Sequence, residues 1–345
     1  MRVKKEVICI LLMAMTMLLN ACSSDESGAQ TVTTGEEPVG KQVQLMTYAP
    51  YFTEKEAPRR APSGFTAYTP DKTTDMGIYM IKDGDLSYKE ERLRYASKWF
   101  AFFEAEAQKN YTVYGYMPKI TGMSSSLSSV TSDGATLTIN GIKPVTADDI
   151  CIITGVKETD TGLKEGQFGW RMENANDNFY MYLLMDHLYA SVKFSLKVSE
   201  EYAQLRTIKL KTMTLSVNQA SVNAAVTLHN TEGTSPITSV TYTSTGDNCA
   251  AEIFNDAEGQ ALSSTTPIAV SACFVPTLSS DLTLFSTYDV YDSKGNLIRA
   301  NCKATNKIPN LEASRGQRVQ LNMKVDPTYL YVMSDKDLDN LFTIE

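Results

Sequence analysis

The 345-residue chain is 43% hydrophobic, which excludes disorder throughout and supplies core material for about two domains. Acidic residues outnumber basic ones by 40 to 32, a net charge of −8, which argues against a nucleic-acid partner because phosphate neutralisation needs basic patches. Only two histidines are present, His187 and His229, so imidazole-based metal sites and triads have little to draw on, while 18 tyrosines among many Thr, Ser and Val point to a β protein.

The chain opens with an export signal. Arg2, Lys4 and Lys5 precede an apolar run over residues 7–19, the length of a signal-peptide core and short for a transmembrane helix. Leu19-Asn20-Ala21-Cys22 follows and resembles the bacterial lipobox. That resemblance implies cleavage before Cys22 and attachment of a diacylglyceryl group to its thiol, so that acyl chains hold the protein on a membrane. The alternative is an ordinary signal peptide with a coincidental cysteine. Residues 23 to about 41 are polar and form a solvated tether. No later run is long enough to span a bilayer.

Strand signals then succeed one another. Residues 42–48 alternate apolar and polar. Residues 54–64 hold charges, two prolines and a glycine, and read as an exposed loop carrying Arg59, Arg60 and Ala61. Residues 76–81 (MGIYMI) and 111–117 (YTVYGYM) read as strands, 99–103 as a buried aromatic stretch, and 124–132 as a serine-rich loop. Residues 150–153 are apolar. A composition change places a domain boundary near Glu173, dividing an N-terminal domain (61–173) from a C-terminal one (174–345). Leu188, Ala190, Val192, Phe194, Leu196 and Val198 alternate with polar residues, a half-buried strand, and residues 207–217 are expected to be its partner. Residues 222–228, 239–243, 268–274 and 282–291 continue the series. A turn at 292–296 predicts a hairpin into 297–300, and 318–325 alternates again. Regular short strands with turn signals predict an all-β, sandwich-type fold.

The tail is apolar. Residues 329–333 and 338–344 flank the polar break Ser334-Asp335-Lys336-Asp337, and such a strand must pair somewhere. It is either a final edge strand on its own domain or a strand given to another chain.

Chemistry-bearing motifs are sparse. Neither G-x-S-x-G, H-E-x-x-H nor a P-loop occurs, so no enzyme activity is expected. His187 reads as a structural histidine. Asp148 and Asp149 lack a calcium-loop ladder around them, and Asp335, Asp337 and Asp339 read as solubilising charge, so neither a metal nor a cofactor is expected. After Cys9 and Cys22, four cysteines remain (Cys151, Cys249, Cys273 and Cys302) without zinc-type spacing. They permit one disulfide within the last three, or buried thiols throughout.

Taken together, Cys22, the Arg59-Arg60 loop followed by MGIYMI, the TVYGYMP segment, DHLYASVKFSLKV around His187 and VQLNMKVDPTYLYV resemble the fimbrillin family of type V pilus subunits. The resemblance implies two tandem transthyretin-like β-sandwiches with mainly antiparallel strands. It implies an outer-membrane lipoprotein precursor, held by lipid at Cys22. A trypsin-like, arginine-specific protease would cut after Arg59 or Arg60, preferably before Ala61, and the mature form would reside in cell-surface fimbriae serving adhesion. The cut removes residues 22–60 with their strand. Other copies of the chain, or related subunits, fill the vacated edge by strand addition. Leu330, Val332, Leu338, Phe342 and Ile344 are the candidate plugs of the donor. Alternatives are plain surface charge at Arg59-Arg60, a tip or anchor subunit, and a surface glycan-binding lipoprotein in which Trp99 and Trp170 stack on sugar.

Overall fold

The structure is a computed structural model that describes residues 40–54, 65–67, 75–82, 89–94, 99–104, 111–155, 173–175, 178–229, 237–308, 311–325 and 342–344. Cys22, Arg59, Arg60, Ala61, Trp170, Leu330, Val332 and Leu338 lie outside the described residues. The chain divides into two units, residues 1–41 with 103–105 and residues 42–102 with 106–345. Of the first, residues 40, 41, 103 and 104 are described, all in extended strands. The architecture below is that of the second.

Nearly all of it is β, as the composition predicts. The strands are β1 (Gly40–Pro50), β2 (Thr53–Glu54), β3 (Phe65–Ala67), β4 (Met76–Lys82), β5 (Glu91–Leu93), β6 (Trp99–Glu104) and β7 (Tyr111–Met117). Next come β8 (Ser124–Thr131), β9 (Gly134–Ile142), β10 (Val145–Thr146), β11 (Cys151–Gly155), β12 (Glu173–Ala175), β13 (Asn178–His187) and β14 (Ala190–Val198). Helix α1 (Glu200–Leu205) leads to β15 (Arg206–Val217), β16 (Ser221–His229), β17 (Ile237–Thr245), β18 (Cys249–Ala261) and β19 (Ile268–Phe274). A 3-10 turn (Pro276–Asp281) precedes β20 (Thr283–Asp292), β21 (Leu297–Lys307), β22 (Gln317–Val325) and β23 (Phe342–Ile344).

Four sheets result. One runs β3-β1-β13-β11-β7-β4-β5, with β12 also on β13. The second runs β10-β19-β14-β22-β2, with β23 also on β22. The third is β18-β15-β20-β21 and the fourth β17-β16-β9-β8. Pairing runs across residue 173: β11 pairs with β13 and β9 with β16. Tyr116, Phe194, Leu215 and Val226, one from each sheet, belong to one buried cluster.

The alternation in β14 is realised from Val192 onward, with Val192, Phe194, Leu196 and Val198 buried and Lys193, Ser195 and Lys197 half-buried, whereas Tyr189 and Ser191, expected on the wet face, are buried too. Its partners are β19, antiparallel, and β22, parallel. Residues 207–217 are not its partner. Ser199 caps α1 by accepting the Tyr202 N–H at 3.3 Å, and this single turn delivers β15 to another sheet, between β18 and β20.

Of residues 124–132, expected as a loop, all but Ser132 lie in a strand. That strand is β8, whose Ser124, Ser126 and Ser128 are exposed while Leu127 and Val130 pack on the core. Its partner β9 buries Leu137 and Ile139, and that apolar neighbour overrides the weak strand preference of serine. The expected hairpin forms: Asp292 Oδ1 accepts from the Lys294 and Asn296 N–H groups at 2.9 and 2.8 Å, and Gly295 takes φ +84°. These bonds hold the exposed Asp292 carboxyl below its ordinary pKa, the Asn296 side-chain amide contributing most. None of the four described cysteines is in a disulfide, so the Cys249, Cys273 and Cys302 group holds no such bridge.

Candidate functional site

The segment that precedes Arg59-Arg60 is built into two sheets. In β1, Leu45, Thr47 and Ala49 are buried, a period-two pattern that faces one side of the strand inward. β1 lies between β3 and β13. Its pairing with β13 is parallel, from Val43 opposite Phe179 to Tyr48 opposite Leu184, and that with β3 is antiparallel.

After Tyr51 the chain crosses to a second sheet. The Thr53 N–H donates to the Gly316 carbonyl at 2.9 Å, and β2 pairs parallel with β22 at Gln317 and Arg318. Between the two strands, Phe52 stacks on His187 with ring centroids 3.9 Å apart and an interplanar angle of 18°. The Arg318 guanidinium sits 5.2 Å above the other ring, Phe52. Removing this segment leaves backbone N–H and C=O groups of β13 and β22 without partners, the condition that invites strand addition.

β22 is also where the tail arrives. Its inner edge is covered by β14. On its outer edge β2 occupies Gln317 and Arg318, and β23 pairs antiparallel with Met323, Lys324 and Val325. Phe342 and Ile344, two of the candidate plugs, therefore stand opposite Val325 and Met323 of their own chain. Among the described residues, no strand covers residues 319–322 of that edge.

The structure also assembles a polar cluster that sequence reasoning missed. His187, 4% exposed, ends β13 directly opposite Cys151 of β11, which is fully buried. Asp149, two positions before Cys151, projects to the same side. His187 Nδ1 donates to Asp149 Oδ2 at 2.5 Å, and Cys151 Sγ donates to the same oxygen at 3.1 Å. Burial, reinforced by the Asp149 charge, pushes the Cys151 thiol well above its usual pKa, so it is a poor nucleophile as it stands. Behind the ring, Asp186 Oδ1 accepts the His187 N–H at 2.8 Å, and Arg315 bridges Asp186 Oδ2 (2.7 Å) and the His187 carbonyl (2.8 Å). The i, i+2 spacing of Asp149 and Cys151 is visible in the sequence. The register that brings His187 opposite them is not.

No family model matches the chain, and no curated protein does. Among solved structures it is similar to a candidate cell adhesion protein from Bacteroides ovatus ATCC 8483, at 12% identity over 89% of this chain and 95% of that one, with a TM-score of 0.40. It is similar to a fimbrial protein from Bacteroides vulgatus ATCC 8482, at 12% identity over 87% and 97%, with a TM-score of 0.37. A candidate polysaccharide binding protein from Bacteroides thetaiotaomicron VPI-5482 is similar at 8% identity over 88% and 96%, with a TM-score of 0.29.

Proposed function

We propose that this chain is a structural subunit of a cell-surface fimbria that serves adhesion. It is exported as a lipoprotein through Cys22, cut after Arg60 by an arginine-specific protease, and joined to further subunits by strand exchange. One observation carries the proposal: β1 pairs along β13 through residues 43–48 and buries Leu45, Thr47 and Ala49, in the same stretch of chain that runs into Arg59-Arg60. A cut there detaches β1 and β2 together, opening an edge in each of two sheets. The incoming strand gains backbone hydrogen bonds along β13 and apolar contacts at the positions Leu45 and Ala49 vacate. Because donor and acceptor edges differ, the contact is head to tail and propagates as a filament. The role is architectural, and no catalytic step is assigned to the chain.

The test is the N-terminal sequence and intact mass of the protein sheared from the surface of its native cells. A chain starting at Ala61 or Arg60, without acyl mass, is the expected result. A sheared chain still starting at acylated Cys22 overturns the proposal and favours an anchor or a glycan-binding lipoprotein.

A further inference from the structure

We propose that Asp149, Cys151 and His187 form a binding site for a zinc-class divalent metal ion, with Phe52 as its cover. Three chemically distinct donor atoms, a carboxylate oxygen, a sulfur and an imidazole nitrogen, all lie within 4.8 Å of one another. Mixed N, S and O donors suit zinc and its borderline neighbours, whereas calcium and magnesium take oxygen alone.

A second observation points to a ligand. Asp149 Oδ1 is buried and has no hydrogen-bond partner, on a side chain only 10% exposed. Buried carboxylate oxygens are rarely left unsatisfied, because desolvation is not repaid. A cation beside Asp149 answers that need.

The scaffold is rigid where a metal site needs it to be. Cys151 and His187 sit directly opposite in paired strands. The His187 backbone is held on both sides, by Asp186 and Arg315, and its ring by Phe52. Tetrahedral zinc with ordinary bond lengths sets its donors about 3.3–3.6 Å apart. Here nitrogen to oxygen is 2.5 Å, sulfur to oxygen 3.1 Å and sulfur to nitrogen 4.0 Å. Binding therefore widens the His187–Asp149 and Cys151–Asp149 contacts and brings the sulfur closer to the His187 nitrogen, by less than about an ångström at each pair. The ion displaces the thiol proton to solvent, and the ring proton passes from Nδ1 to Nε2, so one proton is released per ion and no redox partner is required. The fourth position is left to Asp149 Oδ1 or water.

Phe52 lies on the segment that the proposed cut removes. If that reading of the cut holds, processing uncovers the site. The test uses the uncut chain, so its outcome is independent of the cut. Residues 22–345 with Cys22→Ala, reduced, are titrated with Co(II), whose thiolate charge-transfer band reports sulfur ligation directly. One Co(II) per chain is expected, with the band abolished by Cys151→Ser and by added Zn(II), and affinity lowered about tenfold or more by Asp149→Asn or His187→Ala. Phe52→Ala should reach saturation faster with the same stoichiometry. Thermal melts check that each variant folds, and Asp149→Asn, which keeps the thiol, serves if Cys151→Ser does not. Absence of a band in both the parent and Phe52→Ala, or a band that survives Cys151→Ser, overturns the proposal.

Discussion

Leu45 offers a direct probe of whether β1 is an integral element of the uncut chain. Its side chain is 2% exposed on a strand held by β13 on one edge and β3 on the other. Burying a leucine is worth about 1.5–3 kcal/mol, and truncation to alanine adds a cavity term, so Leu45→Ala should cost about 3 kcal/mol. For a chain of this size each kcal/mol lowers Tm by about 2 °C, giving a drop of about 6 °C. The assay is a calorimetric melt of residues 22–345 with Cys22→Ala, before and after limited trypsin digestion and separation of the released piece. Before digestion the variant should melt below its parent. After digestion the two should coincide, since residue 45 has left both, and both should melt below the intact parent because β13 has lost a neighbour. Equal melting before the cut refutes the placement of Leu45 in the core. A difference that survives the cut shows that the segment stays seated, and removes the open edge on which strand exchange depends.

Further outcomes follow from other contacts. Arg59→Ala with Arg60→Ala should leave sheared protein, read by N-terminal sequencing, without chains starting at 60 or 61. At Gly115 an added Cβ would press on the Gly77 carbonyl oxygen and lie 2.8 Å from Ile153 Cδ1, so Gly115→Ala should cost about 1–3 kcal/mol in a denaturant melt. The buried Tyr202 hydroxyl has no partner, so Tyr202→Phe should raise stability by about 1 kcal/mol near neutral pH. Burial also pushes Tyr202 up to about 12, above the ordinary 10. Between those values the native state holds a proton that the unfolded chain releases, so stability falls as pH rises from 10 towards 12. Tyr202→Phe should show a shallower fall there in pH-dependent melts.

Strands with one wet face were legible because alternation alone announces them. In β14 and β22 the expected inward residues Phe194, Leu196, Val319 and Met323 are buried. What alternation does not encode is the neighbour, which is why β15 was expected beside β14 and lies instead beside β18 and β20. β8 was hidden by its serines, whose local preferences are those of a loop until β9 supplies an apolar face. β18 escaped notice for a related reason: it is exposed or half-buried throughout and carries register shifts against β15, so no clean period survives. The Asp149, Cys151 and His187 cluster depends on a long-range register between β11 and β13, and short-range spacing carries no trace of that.

The order of pairing also bears on how the chain comes to be folded. β1 must await β13, β9 must await β16, and β2 must await β22 near the far end of the sequence. Closing such distant pairs costs entropy before any contact repays it, and makes folding slow. On the proposed export route the N-terminus leads and β1 emerges first; β3 follows soon after to pair with residues 48–50, but the β13 edge that takes residues 43–48 is absent until residues 178–187 have followed. On that proposed route, late closure would keep the emerging polypeptide extended, and the first strand out would gain its longest partner only after about half of the chain had emerged.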